Sequence, residues 1–392
     1  MGWVGRVVAS SGGHASEGCV RSFVLIRLLP LLLAAGAAAC LPWHRERPLS
    51  PEAQLYVDTA LALMRHHVLA SETIDWETLR TETIKRASGA RTPNDTHDAI
   101  MWMVKRVNPH SSLILPQFWA ELQQSIERNP PMPYGRMMPW SIGYIALPGF
   151  FSSDPQLIAR YALTGHFIFK SYADSAYCGW ILDLRADNGG DLNPMLASVG
   201  PLLGDGAVGF KRTGVGLITA FGYTQGRVWI DTDTVLRLPQ AELAPPINTP
   251  VAVLLGPITA SAGEAVAIAF KGVPRATSFG ATTAGFTTGN QGYRLSDGAF
   301  VIVTETVLGD RNAREYGGVL KPEHPTGGSW LNQAADAWDF VTTPAALRWL
   351  RQQPACVAKL GPLQQQVRPP EPRDDDSGRR PTTQPGRGTS PF

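Results

Sequence analysis

The chain is poor in cysteine: four in 392 residues (Cys19, Cys40, Cys178, Cys356), with no C-x-x-C spacing. That excludes a disulfide scaffold and gives zinc or thiol-redox chemistry no ligand set. An excess of charge of one sign is missing too. A formal net charge of +2 at 17% charged residues leaves no broad basic face, so no nucleic-acid partner and no anionic membrane surface is expected. The eight histidines include no H-E-x-x-H pair, and there is neither a Walker loop nor a G-x-G-x-x-G turn, so no metal and no nucleotide cofactor is expected. No apolar run reaches the roughly 20 residues of a membrane-spanning helix. What is present, 44% hydrophobic residues with 39 Gly and 32 Pro, is globular composition.

Residues 1–40 read as a leader. Arg21 and Arg27 precede an apolar run broken by Pro30, and small residues follow up to Cys40. This pattern predicts export to the periplasm or cell envelope. Ala37-Ala38-Ala39-Cys40 resembles a bacterial lipoprotein cleavage box, with Ala37 where leucine is usual. A lipid anchor at Cys40 and a thiol in a discarded leader therefore both stay open. Residues 361–392 are Pro, Arg, Asp, Gln and Ser with almost no apolar side chains, and are expected to form a disordered tail.

Between these ends the pattern predicts an N-terminal helical domain over 50–125 and a core over 140–350. Ser50-Pro51 reads as a cap and first helical residue ahead of Leu55, Leu61, Met64 and Val68. Asp75 opens a second helix with Trp76 and Leu79 inward. Ile100, Met103, Val104 and Val107 share one face of a third, which stops at Asn108-Pro109 and leaves His110 in a turn. From Ile142 strands and helices alternate: Ile142–Leu147, a helix from Asp154-Pro155 towards Tyr177, Trp180–Arg185, a helix through Leu203, Val251–Leu255, and a helix from Ser261 to about Lys271. Asp297-Gly298 predicts a hairpin turn joining Gly292–Leu295 with Phe300–Thr306. Alternation of this kind predicts a largely parallel core sheet.

Twice in this core an apolar strand breaks at glycine and a helix begins: Asp183-Leu-Arg-Ala-Asp-Asn-Gly-Gly190 and Leu255-Gly-Pro-Ile-Thr-Ala-Ser-Ala-Gly-Glu264. Helix starts present unpartnered N–H groups and positive dipole ends. Two that converge would hold the oxyanion of an acyl intermediate on the amides of Gly190 and Ala262, with Ser261 as nucleophile. Ser261-x-x-Glu264 is equally a capping box, and a diglycine is equally a tight turn. A serine needs a base. His14 and His44 belong to the leader region, His66, His67, His97 and His166 to helical stretches, and His324 to an exit loop, which leaves His110. Lys271 is ten residues past Ser261 on the same helix, about 15 Å away, and cannot reach.

Taken in order, Ile142-Gly-Tyr-Ile, Asp-Leu-Arg-x-x-x-Gly-Gly190, Thr259-Ala-Ser-Ala-Gly-Glu264, Gly280-x-Thr-x-Ala-Gly285 and Glu315-x-x-Gly-Val with Pro322 resemble the S41 serine peptidases, the tail-specific protease and tricorn group, over roughly residues 50–345. The resemblance implies an α/β, crotonase-like (ClpP/crotonase) core with an N-terminal helical bundle. Tail-specific proteases place a catalytic lysine where Phe286 stands here. The tricorn-like branch uses serine, histidine and glutamate, which map onto Ser261, His110 and Glu315, with oxyanion donors at Gly190 and Ala262. The place of a serine before the histidine is taken by Pro109. Without the resemblance, Glu315 between Arg314 and Tyr316 reads as a surface ion-pair partner. Only about 30 residues separate His110 from the first core strand, against about 50 or more for an inserted domain, so no PDZ domain is expected.

The resulting expectation is an exported serine endopeptidase acting on polypeptides without a cofactor. A non-catalytic apolar-ligand binder of the same fold and a crotonase-like acyl-CoA enzyme are the alternatives. Cys178 and Cys356 are expected either to pair after export or to be buried separately.

Overall fold

The computed structural model describes residues 47–172, 177–244, 247–326 and 341–361. The leader, Cys40 and all of the expected tail beyond Gly361 lie outside these residues. Three helices come first, α1 (Pro51–His67), α2 (Trp76–Arg86) and α3 (His97–Val107). β1 (Ser112–Ile114), α4 (Pro116–Arg128) and β2 (Tyr134–Met138) lead into β3 (Ile142–Ala146). There follow α5 (Pro155–Ser171), β4 (Gly179–Asp183) and α6 (Leu192–Leu203). A meander of β5 (Gly206–Thr213), β6 (Ile218–Thr224), β7 (Arg227–Ile230) and β8 (Asp233–Arg237) intervenes. The chain then returns through β9 (Val251–Leu255), α7 (Ala262–Phe270) and β10 (Ala276–Gly280). It continues with β11 (Thr288–Arg294), β12 (Phe300–Asp310), β13 (Glu315–Tyr316), β14 (His324–Pro325), α8 (Thr342–Gln352) and α9 (Pro354–Leu360).

Two sheets result. The first has the order β14-β10-β9-β4-β3-β2 and is parallel except at β2–β3. Every residue of β3, β4 and β9 is buried, as expected of a parallel sheet covered on both faces. Side chains alternate between the two coverings. Trp180, Leu182, Val253 and Leu255 pack with residues of α5, α6 and α7, whereas Ile181, Ala252 and Leu254 pack with Leu347 and Leu350 of α8. On that second side a disulfide joins Cys178, just before β4, to Cys356 in α9, so the pairing alternative is the one observed. Closing so long a loop removes roughly 5 kcal/mol of unfolded-chain entropy on the chain-entropy account.

The second sheet, eight-stranded and antiparallel, runs β1-β12-β5-β6-β7-β8, with β11 and β13 also on β12. Of this sheet the sequence pattern predicted only the β11–β12 hairpin about Asp297-Gly298, which is present. The N-terminal helices pack on this sheet: Tyr56, Val57, Met64, Ile100 and Met103 share a core with Leu113, Val301 and Val303. Ser50 caps α1 and Asp75 caps α2, as expected. Leu55 is not inward but 69% exposed, because the buried stripe of α1 is Ala53, Tyr56, Val57, Ala60, Leu61 and Met64. α5 stops at Ser171 rather than running on towards Tyr177. No helix among the described residues is long and apolar enough to cross a membrane.

Candidate active site

β4 and β9 are adjacent parallel strands, with Asp183 beside Leu254, so the loops leaving their C-terminal ends emerge side by side. Ligand sites of open α/β sheets lie at such ends. The first loop is anchored by a buried ion pair between Asp183 and Arg185, to which the Tyr144 hydroxyl donates at 2.8 Å. The two loops are then stitched together: Ala260 N–H donates to the Asp187 carbonyl at 3.0 Å and Thr259 Oγ1 to the Leu184 carbonyl at 2.8 Å.

This stitching sets the diglycine against the tip of α7. A Cβ on Gly189 would lie 2.9 Å from the Ser261 Cβ, and one on Gly190 would lie 1.9 Å from the Phe150 carbonyl oxygen. Both glycines have positive φ (+102° and +126°), where an L side chain is strained. Beneath them Asp187 Oδ1 accepts the Gly189 N–H at 2.9 Å. Burial pushes the Asp187 carboxyl up to about 8, so it is largely uncharged at neutral pH. The amides of Gly190 and Ala262 have no acceptor among the described residues, so the two sites expected for oxyanion donors are both vacant donors.

Ser261 sits at φ +51°, ψ −113°, a conformation costing an L residue about 1–3 kcal/mol. The capping box is present as well, with Ser261 N–H donating to Glu264 Oε2 at 3.0 Å. Capping does not need this backbone strain, since capping residues ordinarily adopt extended φ/ψ. Glycine relieves the strain and alanine keeps it. Ser261→Gly is therefore expected to unfold at higher urea than Ser261→Ala, by about 1–2 kcal/mol in stability. Equal midpoints would show that Ser261 is unstrained.

Glu264 is fully buried and does more than cap. Its Oε1 accepts from Gly285 N–H at 2.9 Å and from the Thr283 hydroxyl, and its Oε2 accepts from Phe286 N–H at 2.7 Å as well as from Ser261. Burial pushes its pKa up, against the pull of these four donors. The Phe286 ring stacks on His110, with centroids 4.5 Å apart and planes at 21°. Phe286 thus stands where the resemblance would have put a lysine, and it packs the imidazole.

His110 is delivered by the turn after α3. Ser111 Oγ donates to Thr304 Oγ1 at 3.0 Å and accepts from Thr304 N–H at 2.9 Å, tying this turn to β12. Nδ1 of His110 is 2.6 Å from Thr288 Oγ1. Burial first, and then the nearby Lys105 ammonium, pull the imidazole down to about 4, so it is neutral at pH 7. Ser261, Gly190, Ala262 and Thr288 line one cleft of about 340 Å³, within the range of small-ligand sites. Glu315 is not joined to them: its carboxylate accepts from Arg212 Nη2 at 2.7 Å and from Arg212 Nε, which holds its pKa low. Thr288 was missed from sequence, where a lone threonine gives no signal. The other candidate, His324, lies exposed on β14, and His166 is buried between Ala197 and Ala244. No cluster of three or more His, Cys, Asp or Glu fit to hold a metal occurs among the described residues.

Two strand-exit loops of a mixed α/β core thus meet at Ser261. Residues 141–321 match the family model described as peptidase family S41, a match that supports a serine-type peptidase. It is similar to a nisin-resistance protein of Lactococcus lactis subsp. lactis, at 27% identity over 269 residues, 68% of this chain and 80% of that protein. In fold it is similar to a lipoprotein from Streptococcus agalactiae, at TM-score 0.62 and 21% identity, covering 77% of this chain and 97% of that one.

Proposed function

We propose that the chain is an endopeptidase of the cell envelope in which Ser261 is the nucleophile and His110 its base. His110 Nδ1 lies 2.6 Å from Thr288 Oγ1, and in the tautomer assigned here Nδ1–H donates to Thr288, leaving Nε2 unprotonated to take the serine proton. The resulting alkoxide attacks the peptide carbonyl, and the amides of Gly190 and Ala262 stabilise the oxyanion. His110 then returns the proton to the leaving amine, and water releases the acyl group by the same route. Thr288 takes the orienting position that the family resemblance gives to Glu315. The observation that carries this reading is that Ser261, the amides of Gly190 and Ala262, and the Thr288 partner of the imidazole line one cleft, with the diglycine packed against Ser261.

The disulfide supports an oxidising compartment. The likeness to a nisin-resistance protein and to a lipoprotein supports an envelope location and makes nisin the first peptide to offer as substrate. A fluorophosphonate probe is expected to label the wild type and not Ser261→Ala or His110→Ala. Undiminished labelling of either variant would overturn the assignment. The depressed imidazole pKa also fixes a pH dependence. The base is lost only when protonated, so kcat/KM is expected to fall to half near pH 4, not near 6.5, as the medium is acidified. An acid limb centred near 6.5 would mean that the titrating base is not this half-buried histidine.

A further inference from the structure

In β5 two consecutive basic residues point to opposite faces of the antiparallel sheet. Arg212 is held by Glu315. Lys211 is directly opposite Leu308 of β12, whose side chain is buried in the core shared with α6 and α7, so Lys211 projects to the side of the sheet that carries the nucleophile. It lines the same cleft as Ser261 and Gly190, beside Asn193 and Gln291.

This ammonium is half-buried yet makes no hydrogen bond or ion pair with any described residue. Asp191 acts on it only through space, its Oδ1 being engaged with the Asn193 N–H at 2.9 Å as the cap of α6. Burial alone pushes the lysine pKa down, with Asp191 opposing. A cation withdrawn from water without a contacting anion is unfavourable unless a ligand supplies one. The start of α7 and the vacant amides of Gly190 and Ala262 open on the same space and add positive field there, while at the start of α6 the Asp191 carboxylate caps the helix.

Resting on the peptidase reading for the site but not on its chemistry, we propose that Lys211 is a specificity residue that binds a substrate carboxylate in the cleft. An acidic side chain and a free chain terminus offer the same chemistry, and the two are separated by experiment. The full chain carrying Ser261→Ala binds without hydrolysis, so binding is read apart from turnover. Three rhodamine-labelled Ala/Leu hexapeptides serve as probes: one neutral and C-terminally amidated, one with a single Glu and amidated, and one neutral with a free C-terminal carboxylate. Fluorescence anisotropy is expected to show at least one carboxylate peptide binding about tenfold more tightly than the neutral one. Adding Lys211→Met is expected to erase that ratio, while Lys211→Arg, which keeps the cation, retains it. The Glu and free-terminus arms identify the source. Equal affinities for all three peptides up to millimolar concentration, or a ratio that survives Lys211→Met, would overturn the proposal. Absence of fluorophosphonate labelling in the wild type would instead count against the peptidase reading and leave this result standing.

Discussion

Gly190→Ala is expected to reduce kcat/KM for peptide hydrolysis by about 10²–10³, the usual effect of losing one oxyanion donor. The glycine is required twice over. At φ +126° a Cβ is strained whatever the space around it, and here that Cβ would meet the Phe150 carbonyl oxygen at 1.9 Å, a backbone atom that cannot swing aside. The loop must move, and the vacant N–H moves with it. Phe150 is itself tied to this loop, donating to the Gly189 carbonyl at 3.1 Å and accepting from Asp191 N–H at 2.7 Å, so the displacement reaches the start of α6. The loss should appear in kcat more than in KM, because the donor acts on charge that develops only in the transition state. Retention of more than a tenth of wild-type kcat, with native near-UV dichroism, would remove Gly190 from the mechanism.

What was legible in the sequence was whatever is written locally. The caps at Ser50, Asp75, Asp154 and Ser261 mark helix starts because a short polar side chain satisfies the first free amides. The largely apolar runs of β3, β4 and β9 declare strands buried on both faces, and two glycine-rich exits from such strands raise the expectation of an anion site. The antiparallel meander from Gly206 to Arg237 was not legible. Most of its residues are half-buried or exposed, and β8 is exposed at four of five positions, so its hydrophobic alternation is weak. The partners of the site side chains were not legible either, since strand register decides them. Thr288 meets His110 because β11 pairs with β12 and the His110 turn is tied to β12. Arg212 meets Glu315 because β5 and β13 both pair with the end of β12. A sequence motif records the ends of strands, not which side chains a neighbouring strand brings alongside.

Glu264 shows how a local motif can hide a longer connection, and its replacement is expected to have the largest effect on stability. As a surface capping box it would contribute about 1 kcal/mol. Here both oxygens are fully buried and each accepts two hydrogen bonds, so Glu264→Gln strands two donors whichever way the amide turns, and Glu264→Ala strands four. At about 1–3 kcal/mol for each buried unsatisfied group, Glu264→Gln should lower stability by about 2–6 kcal/mol, and Glu264→Ala by more. The same bonds run from the backbone of Ser261 to that of Phe286, whose ring stacks on the His110 imidazole, so the proposed nucleophile and base are both tied to one carboxylate. Fluorophosphonate labelling of the folded Glu264→Gln protein, at a denaturant-free temperature well below its melting point, should therefore slow by about tenfold or more. A loss of only about 1 kcal/mol with wild-type labelling would reduce Glu264 to an ordinary helix cap. It would also leave the placement of the His110 turn to the contacts of Thr288 and Thr304 alone.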